Sequence, residues 1–74
     1  MRVLEEKWVN SIIPGDTSAK RWVRLSCDSS ERDDRPVEDT ADGSSCLESD
    51  SGVVSLFNEH SGAWIDQFTI KASD

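Results

Sequence analysis

Side chains able to do covalent or metal chemistry are sparse in this chain of 74 residues: one histidine, His60, two cysteines, Cys27 and Cys46, and no tyrosine. His60 falls in a predicted turn, Asn58-Glu59-His60-Ser61-Gly62, where an imidazole is ordinarily a plain surface residue and not a base. No histidine stands near a turn that would present a serine or cysteine as a nucleophile. Carboxylates abound between Asp28 and Ser51. Acid–base catalysis, however, needs burial or a fixed neighbour to shift a carboxyl's pKa, and a solvated segment supplies neither. The sequence therefore reads as a protein that is not an enzyme.

Cys27, Cys46 and His60 are three soft ligands, yet no two have the short spacing of a structural zinc site. Glu38, Thr40, Asp42 and Gly43 fall at the first, third, fifth and sixth places of a calcium loop. The third place lacks a carboxylate and the twelfth is Ser49 where a glutamate belongs. No metal and no cofactor is expected from either set. Asp50-Ser51-Gly52-Val53-Val54-Ser55 has the form D-S-G-x-x-S. These six residues resemble the phosphodegron read by WD40-repeat adaptors of ubiquitin ligases, and the resemblance implies phosphate acceptors at Ser51 and Ser55. A degron must be extended and free, whereas Val53 begins a predicted strand.

The strongest signal is charge. Residues 28–51 hold nine acids (Asp28, Glu31, Asp33, Asp34, Glu38, Asp39, Asp42, Glu48, Asp50) and two bases (Arg32, Arg35). Nine minus two is the whole formal charge of −7, so the arms on either side, 1–27 and 52–74, are neutral taken together. Val37 and Leu47 are the segment's large apolar exceptions. Such a stretch buries too little surface to offset its ordering entropy, and a long, flexible acidic loop is expected within one small domain, 1–74. A pI near 4.5 argues against binding nucleic acid or an anionic membrane directly and points to a basic partner. No apolar run approaches the roughly twenty residues of a membrane span. Met1 to Glu6 lacks the apolar centre of a secretion signal, so the two cysteines read as reduced thiols in the cytoplasm. A secreted domain stapled by Cys27–Cys46 is the alternative that this disfavours.

The arms must then supply the fold. Leu4, Trp8, Val9, Ile12 and Ile13 recur at helical spacing before Pro14-Gly15, but the same stretch carries β-branched and aromatic residues suited to a strand. Helix and strand both stay open for residues 3–13. The echo of Lys7-Trp8-Val9 in Arg21-Trp22-Val23, across Pro14-Gly15-Asp16, favours a hairpin. Residues 20–27 alternate cleanly: Arg21, Val23, Leu25 and Cys27 on one face, Lys20, Trp22, Arg24 and Ser26 on the other. Val53–Phe57 and Trp64–Lys71 read as a second hairpin, with Trp64, Phe68 and Ile70 on the core face and Asp66 among them. The expected fold is mainly β, a small antiparallel sheet of about four strands, with one side open unless an N-terminal helix or a partner covers it.

From this follows the expected function: a small acidic regulator that binds and inhibits, or redirects, a larger enzyme that handles nucleic acid, such as RNA polymerase or a nuclease. Small acidic proteins of phages and mobile elements offer the analogy, in size and charge alone, and would place it in a host cytoplasm. Asp33, Asp34, Glu38 and Asp39 would enter a basic cleft. Trp22, between Lys20 and Arg24, would either anchor close contact or be covered by those two stems. The alternative is a structural or assembly protein, a small subunit completed by a partner's sheet edge.

Overall fold

The computed structural model describes residues 1–70. Five strands form one sheet in chain order: β1 (Arg2–Asn10), β2 (Ala19–Cys27), β3 (Ser45–Glu48), β4 (Val53–Asn58) and β5 (Ala63–Thr69). The sheet has one strand more than expected, and residues 2–10 form a strand where a helix had stayed open. Lys71, the last residue of the predicted second hairpin, lies outside the described residues.

β1 and β2 pair antiparallel, Lys7 opposite Trp22 and Trp8 opposite Arg21, the pairing that the echoed tripeptides suggest. The turn between them is held locally. Asp16 donates its N–H to the carbonyl of Ile13, and its carboxylate accepts both the N–H and the hydroxyl of Ser18. β4 and β5 form the second hairpin, closed by the Gly62 N–H on the Asn58 carbonyl at 2.8 Å.

The joint between the hairpins departs most from expectation. β3 lies beside β2 in parallel, Leu25 opposite Cys46, and antiparallel to β4. A parallel neighbour needs a crossover of a dozen or more residues, and residues 28–44 supply it. This acidic segment, expected as a loop without structure, contains a 3-10 helix, η1 (Ser29–Asp34), and buries Thr40, Ala41 and Ser44. It lies across one face of the sheet as a lid. One side of the sheet was expected to stay open unless a helix or a partner covered it; the acidic segment covers this face from within the chain.

The core is small and sits under the lid: Val23, Leu25, Cys27, Cys46 and Phe57, each 3% exposed or less, with Trp64 packed against it. Phe57 and Trp64 meet edge to face with ring centroids 5.4 Å apart, a favoured aromatic geometry. Trp64 is core as expected, whereas Phe68 is 59% exposed and Ile70 is 53% exposed. The cause is a bulge. Ser55 faces Asp66 but Val54 faces Phe68, so Gln67 is an extra residue that turns the end of β5 over. One inserted residue moves every later side chain to the other face.

Candidate functional site

The lid is fastened by its two bases. Arg32, in the last turn of η1, donates from Nε to Glu48 and from its terminal nitrogen to both oxygens of Asp66, at 3.1 and 3.0 Å. Glu48 is 2% exposed. Such a carboxylate is tolerated because Arg32 pairs with it and the Ser51 hydroxyl donates to its second oxygen at 2.7 Å. Ser55 Oγ donates to Asp66 at 2.7 Å. That hydroxyl, then Arg32, hold the Asp66 carboxyl below the usual range, and the two carboxylates in turn push the Arg32 pKa up. Arg35, three residues on, lies over the Trp64 ring with its guanidinium carbon 5.1 Å from the centroid. The Trp64 indole N–H donates to the Pro36 carbonyl at 2.9 Å. Further along, the Arg21 N–H and carbonyl bond to Asp39 and Ala41, a short parallel bridge beside β2.

Both bases of the lid thus reach into the fold, while Glu31 pairs with the N-terminus and Asp42 is half-buried; the other acids stay outside. Asp28, Asp33, Asp34 and Glu38 are exposed and take part in no ion pair among the described residues. Asp39 is exposed too, in a left-handed conformation (φ 57°), with Lys20 at 3.7 Å.

The opposite face of the sheet is uncovered. Trp22 stands there, half-buried, its indole N–H on the Gly43 carbonyl at 3.2 Å. The cation on its ring is Lys7, from the neighbouring strand, 4.7 Å from the centroid. Lys20 and Arg24, expected to flank it, pair elsewhere: Lys20 with Asp16 and Asp39, Arg24 with Glu5 at 3.8 Å. Leu56, Ile65, Phe68 and Ile70 are exposed on this face. Leu4, Arg24, Leu47, Val54 and Ile70 line a depression of about 390 Å³.

Of the seven residues expected to meet a partner, Lys20, Trp22 and Arg24 share the uncovered face. Asp33 and Asp34 lie on the lid over the other face, Glu38 is also on the lid, and Asp39 reaches Lys20 at the lid's far end. The structure thus separates Asp33, Asp34 and Glu38 from the tryptophan. Sequence reasoning missed the apolar group of Leu56, Ile65 and Phe68, because the bulge that exposes Phe68 leaves no mark on the alternation.

The other motifs find their places. Thr40 is buried and Asp42 accepts the Glu59 N–H at 3.0 Å, so the calcium-like spacing is spent on folding contacts. No group of three metal-ligating side chains exists among the described residues. Ser55 is fully buried in β4, so the D-S-G-x-x-S stretch is not a free, extended segment. No helix among the described residues is long and apolar enough to cross a membrane. No protein family, characterised protein or solved structure compared with the chain matches it.

Proposed function

We propose that the protein is a non-catalytic regulator that binds a larger protein through the outer surface of its acidic lid. The partner presents a basic cleft of the kind that holds nucleic acid in a polymerase or nuclease, and lid binding inhibits or redirects it. The carrying observation is the sorting of charge within the lid, where both bases point into the fold and Asp33, Asp34 and Glu38 point out. A loop serving only solubility has no need of that sorting. Ordered carboxylates have less freedom to lose on docking than those of a flexible chain. Their field raises the encounter rate with a basic surface. The protein would act where that partner works, in the cytoplasm.

The test is competition. A partner captured from the native source on the immobilised protein is challenged with double-stranded DNA or single-stranded RNA. Release at nucleic-acid concentrations that fill the partner's own site supports the reading. Retention of the partner at saturating nucleic acid places the contact elsewhere and overturns it.

A second reading rests on β1. Among the described residues this strand pairs with β2 alone, and every residue in it except Val9 is exposed. An edge of that kind accepts a strand from another chain, so the protein would be a subunit whose sheet a partner extends. Such binding depends on backbone hydrogen bonds and would persist at high salt.

A further inference from the structure

Cys27 ends β2 and Cys46 lies within β3. Leu25 stands opposite Cys46 and Cys27 opposite Glu48, so the two cysteines are diagonal neighbours on the face under the lid. Their sulfurs are 3.1 Å apart, about one ångström beyond the ~2.05 Å of a disulfide bond. Both are among the most buried residues of the core, and both are free thiols here. Between them in the chain lies the whole lid. The Ser49 N–H and hydroxyl both bond to the Cys27 carbonyl, at 2.8 and 3.2 Å, fixing the end of β3 against the end of β2. The two sulfurs thus sit on backbones that already hold each other in place.

We propose that Cys27 and Cys46 are a site of oxidative modification, forming an intramolecular disulfide that ties together the two roots of the acidic lid. The oxidant is a small-molecule disulfide such as oxidised glutathione. One cysteine thiolate attacks it, forming a mixed disulfide and releasing the first small thiol. The second cysteine's thiolate attacks the protein sulfur of that bond, and the second small thiol leaves. Two protein S–H bonds are lost and one S–S bond forms; the two electrons and two protons end in the two small thiols.

The environment sets when this happens. Burial, then the neighbouring Cys46, push the Cys27 thiol up to about 12. In the closed fold the Cys27 thiol is protonated and both sulfurs are shielded, so exchange proceeds through openings in which the lid leaves the sheet. Once made, the bond is shielded by the same burial. It would also limit how far the lid can open, so the acidic surface would stay in place under conditions that loosen the reduced protein.

The experiment uses the full chain, reduced and then incubated with oxidised glutathione with and without low urea. Expected are an intact mass lower by two hydrogens, a peptide map joining the Cys27 and Cys46 peptides, and faster oxidation in urea. The oxidised chain should melt higher than the reduced one by on the order of 10 °C, since the bond closes a loop of about twenty residues. Cys46→Ala should lose the shift, and the comparison of the two wild-type forms stands even where that variant fails to fold. Two free thiols, a persistent glutathione adduct, disulfide-linked dimers or a lower melting temperature on oxidation would each overturn the proposal.

Discussion

Replacing Arg32 by methionine keeps most of the apolar stem and removes the cation that joins η1 to β3 and β5. Glu48, 2% exposed, would be left with only the Ser51 hydroxyl. Stranding a fully buried carboxylate costs about 3–5 kcal/mol. The Arg32 side chain is 38% exposed and that of Asp66 is 50% exposed, so solvent screens part of the network. A loss of about 2–3 kcal/mol is expected. A domain of this size holds about 4–11 kcal/mol in all, so Arg32→Met should lower the urea midpoint by about 2 M. Adding Glu48→Leu removes the stranded charge and should restore part of the loss, since a buried pair replaced by apolar groups is often neutral. Urea titrations of the two single variants and the double variant form the cycle. A cost below about 0.5 kcal/mol for Arg32→Met, or strict additivity of the two changes, would refute the idea that this pair latches the lid.

Phe57→Ala should cost about 3–5 kcal/mol. Phe68→Ala should stay within about 1 kcal/mol, and thermal melts that rank them the other way would mean the bulge at Gln67 is misplaced. The Asp66 carboxyl, held low by Ser55 and Arg32, stabilises the fold when ionised. That contribution is complete above the unfolded carboxyl pKa near 4 and disappears as pH falls through the lower folded value. Melting temperatures of the native protein should therefore drop as pH falls below about 4, and those of Asp66→Asn should drop less. Gly52 has a φ of +78°, and a Cβ there would run into the Ile70 carbonyl. Gly52→Ala should therefore lose about 1–3 kcal/mol in a urea titration.

Where side-chain alternation matched burial, the fold was legible. Val23 and Leu25 announce β2 and are fully buried, and the echoed Lys7-Trp8 and Arg21-Trp22 pairs fall opposite each other across the first hairpin. β3 was hidden because its buried side is Cys46 and Glu48, with Ser44 buried just before it, while its one large apolar residue, Leu47, faces outward. Hydrogen bonds satisfy that buried side: Ser44 Oγ accepts the Val23 N–H and donates to the Ala41 carbonyl, and Glu48 takes Arg32. A hydropathy pattern does not record such partners. The lid was hidden for the same reason. Its composition is that of a flexible loop, and only Arg32 and Arg35, three apart within a run of acids, hint that one side of it faces the fold. Phe68 was misplaced by one inserted residue.

The most direct measurement is the rate at which the captured partner associates with the protein, followed by surface plasmon resonance from low to high ionic strength. Asp33→Asn, Asp34→Asn and Glu38→Gln together remove three outward charges; Asp39 is left in place because Lys20 already shares it. The predicted result is association slower by about tenfold or more at low salt, with a flatter salt dependence and an unchanged melting temperature. Trp22→Ala, on the opposite face, should leave that salt dependence as it was. An unchanged association rate at low salt for the triple variant would contradict the account and leave the acidic lid a cover for the core and nothing more.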